Sequence, residues 1–485
     1  MKQLETDVVI VGGGTCGLAA AVAAAERGAR VTILEKASTT GGTGNMSQGP
    51  FAVESQFQKN VQPPLDRDLA FKIFMEYTHW RVDARLVRNY IDKSADTIDW
   101  LVKMGVNFCE AENQFEGAYA THHCVRLPTG GTGFEVGTIM MKAMTNKAKE
   151  LGAQILLHTT VKKILKEGNR VTGVTAEDSS GEEIRVKARA VMVGTGGFGD
   201  SPEMIKKYTP YEFGHDMFSM RVPGLVGEGL RMAWEAGAAQ SQTTMHLIFS
   251  LPPPYNGRGG AREELAFFRQ PNLIVNLLGE RFANEEIIAN TTYLGNAILR
   301  QKDHVGFAIF DKDTRLYYEK NGMHFCDPAT VESIDANIQQ VFKEGCDCVY
   351  IAETLEELCG KTGIDLKGLQ KTLNEYNRMC ETGRDPFFNK RSQYLRPVKT
   401  PGFYAAKLVP SAYGSLGGIK VNYKLEVLNK NEEVIAGFYA AGVDVNTLYG
   451  DSYIYILPGN TLGFALNSGR MAGENAADYV KSQAR

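Results

Sequence analysis

Three glycines and one acidic residue near the start of the chain have the types and spacing of a dinucleotide-binding site. Gly12, Gly14 and Gly17 follow a continuous apolar run, and Glu35 ends a second one. Glycines at these positions let the backbone turn tightly and approach a pyrophosphate, while a carboxylate after the second strand accepts hydrogen bonds from ribose hydroxyls. Because a 2′-phosphate requires a basic partner, Glu35 argues against that group.

The elements around these residues have the order that such a site needs. The apolar run that ends at Val11 predicts a buried parallel strand, the alanine-rich stretch after Gly17 predicts a helix, and residues 31–34 predict the next strand. The N–H groups and the dipole at the start of that helix would hold the phosphates. NAD and FAD share this pattern, so it leaves the choice between them open.

Composition and charge restrict the class of protein. The 485 residues suffice for two or three domains, and a net charge of -3 without a Lys/Arg tract argues against nucleic acid or an anionic membrane as partner. The sequence shows no long apolar span, and its first strand leaves no room for a signal peptide. These features predict a cytoplasmic protein that acts on a small molecule.

Histidine and cysteine patterns do not predict a metal site. His122 and His123 are adjacent, but we see no acidic or cysteine partner at ligand spacing, which favours a role on the polar surface or in loop packing. The eight cysteines are scattered, and Cys346 and Cys348 are the nearest approach to a pair. We therefore expect reduced thiols and no metal.

A glycine-rich loop after Glu35 favours FAD. Residues 36–49 contain four glycines among small polar residues, which predicts close contact with a flat ligand. The "EK" end of the strand followed by Gly-Gly resembles flavoproteins of the fumarate reductase and succinate dehydrogenase family. That resemblance implies FAD, and the lack of histidine in residues 37–78, where succinate dehydrogenase-like members link their flavin, implies non-covalent binding.

Later segments extend the resemblance over nearly the whole chain. "VGTGGFG" and "GFYAAG" each follow an apolar strand and resemble the second and third FAD signatures, and residues 155–161 predict a strand that resembles the adenine-side strand. After "AAG" many relatives have a glutamate near the flavin, whereas this chain has Val443, with Asp444 as the candidate replacement. The predicted cofactor contacts are Gly12, Gly14, Thr15, Cys16, Gly17, Glu35, Lys36, Gly41, Gly42, Thr43, Ser47, Gly49, Val161, Thr195, Gly196, Gly197, Gly442, Asp444, Asn460, Thr461 and Leu462.

Proline- and glycine-rich segments mark an inserted domain. They lie at residues 251–260 and 396–402 and enclose a predicted helical stretch at 353–382. The resemblance implies that the insert is a cap that closes over the flavin and excludes water. We predict an α/β protein with a discontinuous Rossmann-like FAD-binding domain, built on a doubly wound parallel sheet at 1–240 and 411–485, and an inserted α+β capping domain at 241–410.

The chain departs from fumarate reductases where they recognise dicarboxylates. Residues 279–285 resemble the family's "GxRFxNE" signature, after which fumarate reductases have a proton-donating arginine and 3-ketosteroid 1-dehydrogenases a tyrosine base; here stands Ala289. Ile456 replaces the substrate-clamping arginine, Tyr413 replaces a histidine, and His246 alone survives, with packing as its alternative role. Because arginine forks recognise carboxylates, the loss of both arginines argues against a fumarate-like substrate.

The C-terminal region resembles 3-ketosteroid dehydrogenases instead. Tyr455 and Gly459 stand four apart, as in the "YPGPG" motif, where a tyrosine hydroxyl and a glycine N–H hold the ketone oxygen. Tyr449 and Tyr453 with Tyr455 indicate either a pocket for an apolar carbonyl compound or a strand face packed on the core. A final helix is predicted at about 463–480, capped by Asn460 or Thr461, with its N-terminus towards the flavin.

Together these observations predict an FAD-dependent oxidoreductase that transfers a hydride between flavin N5 and the carbon β to a carbonyl on an apolar substrate. Donors aimed at the carbonyl oxygen would stabilise the enolate, and a general acid would protonate the α carbon. Two alternatives are a flavin-carrying electron-transfer subunit with a protein partner, and NAD-linked chemistry. The candidate catalytic residues are Tyr455 and Gly459 at the oxygen, Tyr413 and then Tyr293 as proton donor, and His246.

Overall fold

The computed structural model describes residues 2–58, 61–130, 136–220, 223–251, 263–325 and 333–483. Most of the predicted boundary at 251–260 therefore lies outside the described residues. The strands are β1 Lys2–Val11, β2 Val31–Leu34, β3 Gln154–Leu156, β4 Thr159–Glu167, β5 Arg170–Asp178, β6 Glu183–Val193, β7 Phe218–Ser219, β8 Thr244–Ser250, β9 Leu273–Val275, β10 Gly306–Asp311, β11 Val349–Ala352, β12 Phe403–Leu416, β13 Glu426–Leu428 and β14 Val434–Ala440. The α-helices are α1 Thr15–Glu26, α2 Arg67–Tyr77, α3 Ala84–Lys103, α4 Val136–Glu150, α5 Pro202–Tyr208, α6 Glu228–Glu235, α7 Thr291–Leu299, α8 Lys312–Asn321, α9 Ile334–Lys343, α10 Leu355–Thr362, α11 Leu366–Thr382 and α12 Asn460–Ser482.

The chain forms two compact units. The first comprises Met1–Thr209, Val222–Met245 and Gly414–Arg485, and the second comprises Pro210–Arg221 and His246–Tyr413. The second unit thus includes a segment near residue 210 that the sequence did not assign to an insert. Among the described residues, no helix is both long and apolar enough to cross a membrane.

The first unit is built on an eight-stranded sheet with the order β13-β14-β5-β6-β1-β2-β3, and β4 pairs with β5. Strands β1, β2, β3, β6 and β14 run parallel, and Val193 at the end of β6 lies opposite both Val11 and Ala440. Their carboxyl ends therefore meet at one edge, where a doubly wound sheet binds its ligand. The predicted α/β sheet is confirmed.

Helix α1 connects β1 to β2 and is almost wholly buried because its residues are small. Ala19, Ala20 and Ala21 are fully buried, and α12 packs along this helix. Small side chains let two helix backbones approach closely, which places the N-terminus of α12 beside the site edge of the same unit.

The second unit is an α+β structure in which β9, β10, β11 and β12 pair antiparallel, whereas β7 pairs with β12 in parallel. Its sheet has the order β11-β12-β10-β9, and β7 and β8 also pair with β12. The side chains of β10 point alternately to the two faces of the sheet and so belong to two hydrophobic cores. Ala308 and Phe310 pack with the aromatic cluster around Phe267. Phe307 and Ile309 pack on the other face with residues of α11 such as Leu373. The period of two in a strand thus lets helices cover both faces.

Three predicted elements have different bounds in the structure. The strand predicted at 155–161 is divided into β3 and β4, because the chain turns at His158, which has a φ of 53°. The helical stretch at 353–382 is two helices, since Gly363 adopts the left-handed conformation and ends α10. The final helix begins at Asn460, earlier than predicted.

Candidate active site

A cavity with an empty volume of about 980 Å³ opens at the carboxyl edge of the parallel strands in the first unit. The predicted cofactor residues that line it are Gly12, Gly14, Thr15, Cys16, Glu35, Lys36, Gly42, Thr43, Val161, Thr195 and Gly196. Of the described residues, the lining does not include the predicted contacts Gly17, Gly41, Ser47, Gly49, Gly197, Gly442, Asp444, Asn460, Thr461 and Leu462.

The glycines between β1 and α1 are required by close backbone approach. A Cβ on Gly12, whose φ is 101°, would lie 2.5 Å from the carbonyl oxygen of Gly194. A Cβ on Gly17 would lie 1.9 Å from the carbonyl oxygen of Gly12. Thr15 and Cys16 of the first turn of α1 line the cavity. First-turn N–H groups have no acceptor within their helix, which leaves them available to bind a phosphate.

Glu35 is held in place by two backbone donors. Its Oε2 accepts a hydrogen bond from Gly13 N at 2.6 Å, and its Oε1 accepts one from Ala37 N at 2.8 Å. Each oxygen keeps further lone pairs, and the side chain lines the cavity. The carboxylate is therefore oriented to accept hydrogen bonds from a ribose.

Lys36 contacts a segment that the sequence analysis missed. Its Nζ lies 2.6 Å from both the carboxylate of Glu228 and the carbonyl oxygen of Gly224. Pro223, Leu225 and Met232 line the cavity as well. Two signals in the sequence could have marked this segment: the three glycines Gly224, Gly227 and Gly229, and an acidic residue in the first turn of α6.

The interpretation of Asp444 as a direct replacement for the relatives' flavin-side glutamate needs correction. Asp444 is fully buried, and its carboxylate accepts hydrogen bonds from Thr195 N, from Gly196 N at 3.3 Å and from Gly197 N at 2.8 Å. The neighbouring Val443 lines the cavity. Burial raises the pKa of Asp444, and these donors oppose that effect. The carboxylate of Asp444 therefore holds the backbone of the glycine loop at residues 195–197 from the protein interior.

The capping prediction for the final helix is also wrong. Gly459 is the N-cap of α12 and has no side chain to offer. Instead, Thr461 N donates a hydrogen bond to the hydroxyl of Tyr453 at 3.1 Å, and Asn460 Oδ1 accepts one from Tyr90 at 2.9 Å. A tyrosine from the preceding loop therefore serves as the cap.

The three C-terminal tyrosines have different environments. Residues 450–459 form a loop and not a strand, and Tyr449 and Tyr453 are buried in the first unit. The hydroxyl of Tyr449 is buried with no hydrogen-bond partner among the described residues. Tyr455 is only partly buried, and its ring stacks on Phe115 with centroids 5.5 Å apart. Tyr449 and Tyr453 are therefore packing residues, while Tyr455 remains the candidate for ligand contact.

Gly459 occupies a position that accepts no other residue. Its φ is 86°, and a Cβ there would lie 2.6 Å from Phe51 N, which donates to the carbonyl oxygen of Gly459 at 2.9 Å. The backbone at the start of α12 is therefore fixed, which suits a role for its N–H, and that role stays a prediction.

The other candidate catalytic residues belong to the second unit. His246 on β8 and Tyr413 on β12 lie on paired strands, with ring centroids 5.3 Å apart. His246 is buried, whereas Tyr293 is 38% exposed on α7. The fold thus brings His246 and Tyr413 together from distant parts of the sequence.

The segment around Ala289 contains polar groups that the sequence analysis missed. Asn290 Nδ2, Thr291 Oγ1 and Thr292 Oγ1 are buried, with no hydrogen-bond partner among the described residues. Burying a polar atom without a partner is unfavourable, so these atoms are candidates for contact with a ligand or water. Their only signal in the sequence was a run of three polar residues directly after Ala289.

The "RFANE" signature forms a buried ion-pair cluster. Arg281 lies 2.8 Å from both Glu285 and Asp385, and Lys390 lies 3.3 Å from Glu285. All four side chains are buried, and the cluster fixes the short 3-10 helix that ends at Ala289. The charged residues of this signature, Arg281 and Glu285, therefore form ion pairs within the protein interior.

His122 has an acidic and a cysteine neighbour, contrary to the prediction from the sequence. The fold places Glu112 and Cys124 beside its ring, although Glu112 is distant in sequence. His123 does serve loop packing: it is buried, with Nε2 2.6 Å from Ser55 Oγ and Nδ1 2.9 Å from Thr121 O.

A parallel sheet with glycine turns at its carboxyl edge, combined with a second α+β unit, is the architecture of a dinucleotide-binding oxidoreductase. A family model described as FAD binding domain matches residues 7–462, and the chain belongs to this family. It is 33% identical to a vinyl phenol reductase of Lactiplantibacillus plantarum, over 99% of this chain and 98% of that protein. It is 30% identical to a fumarate reductase (cytochrome) of Shewanella frigidimarina, over 98% of this chain and 77% of that protein.

A solved structure shows the same fold. The 3-ketosteroid-Δ4-(5α)-dehydrogenase of Rhodococcus jostii RHA1 superposes with a TM-score of 0.78 at 24% identity, covering 98% of each chain. The predicted resemblance to the fumarate reductase family, the fold class and FAD as cofactor are therefore confirmed. The protein is an FAD-dependent oxidoreductase of the class that acts on CH–CH and C=C bonds.

We expect the flavin to be released when the purified yellow protein is precipitated with acid. Residues 37–78 contain no histidine for the link that succinate dehydrogenase-like members form, so we expect non-covalent contacts to hold the cofactor. Absorbance of the supernatant and the pellet measures the distribution. Flavin that stays with the pellet would show that another residue is linked to it.

Proposed function

We propose that the protein transfers a hydride between flavin N5 and the carbon β to a carbonyl of an apolar substrate, as an ene reductase or a ketosteroid-type dehydrogenase. The observation that carries the proposal is the position of Tyr455. Of the three clustered tyrosines, it alone is only partly buried, and it stacks on Phe115 beside the partly buried Ile456. An aromatic and aliphatic surface with one hydroxyl donor suits an apolar molecule that carries one oxygen.

In the reducing direction, negative charge develops on the substrate oxygen. When bound, FAD supplies the hydride. A hydrogen bond from the Tyr455 hydroxyl, with the N–H of Gly459 as second donor, would stabilise the enolate more than the ketone and so lower the barrier. These donors act on the oxygen only, so the α carbon still needs a proton.

Tyr413 is our candidate proton donor. A phenol hydroxyl is protonated at neutral pH and can act as a general acid. The buried ring of His246 packs edge-on against Tyr413 and limits its rotation. Tyr293 is the second candidate, but its exposure is less suited to a water-excluded site.

A vinyl phenol is a second candidate substrate class, favoured by the relative that matches over the full length of both chains. Its C=C bond is conjugated through the ring to a phenol oxygen. Loss of the phenol proton and protonation of the terminal carbon give a quinone methide, whose benzylic carbon accepts hydride and restores the phenolate. A donor at the oxygen would stabilise that phenolate as it stabilises an enolate.

Anaerobic mixing tests the proposal. The flavin is reduced chemically, and the protein is mixed with 2-cyclohexenone or 4-vinylphenol while flavin absorbance is followed. Reoxidation by either compound supports the proposal. The proposal would be overturned if neither compound reoxidised the reduced flavin and the saturated ketone did not reduce the oxidised flavin. That result would favour an electron carrier that works with a protein partner.

Fumarate should reoxidise the flavin only at the background rate. Ala289 and Ile456 stand where fumarate reductases have arginines, so two carboxylates would be buried without bidentate partners. A buried charge without a partner is strongly unfavourable. Stopped-flow reoxidation with fumarate measures the effect, with buffer as control, and rapid turnover would contradict our interpretation of these two positions.

A further inference from the structure

A short antiparallel ribbon in the first unit places three metal-ligand side chains on one face. Glu112 and His122 are direct cross-strand partners, joined by backbone hydrogen bonds of 3.0 and 3.2 Å. Cys124 follows two residues after His122, and its carbonyl oxygen accepts a hydrogen bond from Cys109 N at 2.8 Å. Since side chains alternate along an extended strand, His122 and Cys124 project from the same face.

The three potential ligand atoms lie close to one another. Cys124 Sγ is 2.8 Å from Glu112 Oε1 and 3.3 Å from His122 Nδ1, and the last two atoms are 3.5 Å apart. Around one tetrahedral Zn²⁺, with bonds of about 2.0–2.3 Å, ligand atoms are separated by about 3.3–3.6 Å. Small side-chain movements therefore suffice to enclose an ion.

The orientation of the imidazole also suits a metal. His122 Nδ1 lies 3.3 Å from Cys124 Sγ, on the side of the cluster. Gln114 Nε2, which can only donate, lies 2.6 Å from the same nitrogen, so Nδ1 acts as an acceptor, and a bound ion would replace the Gln114 amide as the partner of its lone pair. His122 and Cys124 are buried, whereas the side chain of Glu112 is about half exposed, with 51% of its surface accessible. The cluster is thus anchored on the protein side and open to solvent on the other.

We propose that Glu112, His122 and Cys124 bind one divalent metal ion, with Zn²⁺ as the best match. A thiolate, an imidazole and a carboxylate together favour Zn²⁺ over Mg²⁺ or Ca²⁺, which prefer oxygen ligands alone. On binding, the Cys124 thiol gives its proton to solvent as the sulfur coordinates the ion. Water would complete the coordination.

The same ribbon supports the loop that carries Tyr455. Tyr119 N donates to the carbonyl oxygen of Ile456 at 2.9 Å, and Thr121 Oγ1 donates to that of Pro458 at 2.9 Å. An ion at Glu112 and His122 would join the two strands of the ribbon at a further point. Bound metal should therefore increase the thermal stability of the protein.

Metal titration of the flavin-loaded, chelator-treated protein tests this proposal. We expect one equivalent of Co²⁺ to produce a thiolate-to-metal charge-transfer band with the d–d bands of a tetrahedral site, and one equivalent of Zn²⁺ to displace it. Cys124→Ser should abolish the charge-transfer band, and Cys359→Ser, which changes a buried thiol on α10, should leave it unchanged.

Glu112→Gln keeps the test valid if Cys124→Ser does not fold, because Glu112 is exposed. We expect the dissociation constant of Glu112→Gln for Zn²⁺ to rise at least about tenfold. A loss of about tenfold in metal affinity is already the lower limit when a group that only hydrogen-bonds to a metal ligand is mutated. A competing fluorescent chelator measures the constant. The proposal would be overturned if the unmodified protein bound no stoichiometric metal. It would also be overturned if Cys124→Ser and Glu112→Gln both bound Zn²⁺ as tightly as the unmodified protein.

Discussion

Replacing Tyr455 with phenylalanine should lower the rate of hydride transfer by about 10²–10³-fold, while FAD content stays the same. The variant keeps the ring that stacks on Phe115 and loses only the hydroxyl. If that hydroxyl donates to an oxygen whose charge grows in the transition state, its loss costs about 3–4 kcal/mol. The loss should affect kcat rather than substrate binding. Stopped-flow absorbance measures each half-reaction separately.

Tyr449→Phe is the matched control. The Tyr449 hydroxyl is buried with no partner among the described residues, so its removal should leave turnover unchanged and stability equal or slightly higher. Near-normal hydride transfer in Tyr455→Phe would make Tyr455 a packing residue. The ketosteroid-like interpretation of the loop would then be wrong.

Changing Glu35 to lysine should yield largely apoprotein. The substitution removes the acceptor for the ribose hydroxyls, leaves Gly13 N and Ala37 N without their carboxylate, and places a cation in the cavity. Hydrogen bonds to a charged group contribute about 1.5–3 kcal/mol each, so the loss of two weakens FAD binding on the order of 10³-fold. The ratio of flavin to protein absorbance after gel filtration measures occupancy.

A second acidic residue of the same unit provides the control. Glu167→Lys makes the same charge change at an exposed position on β4 and should retain full FAD content. Full retention of FAD in Glu35→Lys would show that Glu35 does not bind the ribose. Equal loss in both variants would indicate a general electrostatic effect.

Several features of the site could be predicted from the sequence because they depend on local backbone geometry. The strand, the glycine turn and the helix from Val11 to Gly17 form a continuous segment, and Val11, Gly12, Gly14, Thr15 and Cys16 of this segment line the cavity. The same holds for Glu35 and for Thr195 and Gly196, which directly follow strands of the parallel sheet. A motif at a strand end is placed at the ligand edge by the sheet itself.

Other features depend on contacts between distant segments, and only the tertiary structure decided them. Asp444 has the charge of a ligand residue, yet parallel pairing of β14 with β6 places it beneath the loop at Thr195, where backbone donors bind its carboxylate. The tyrosines of the C-terminal loop are alike in sequence, and packing separates Tyr449 from Tyr455. Glu112 meets His122 because two strands pair, and cross-strand register leaves no local pattern.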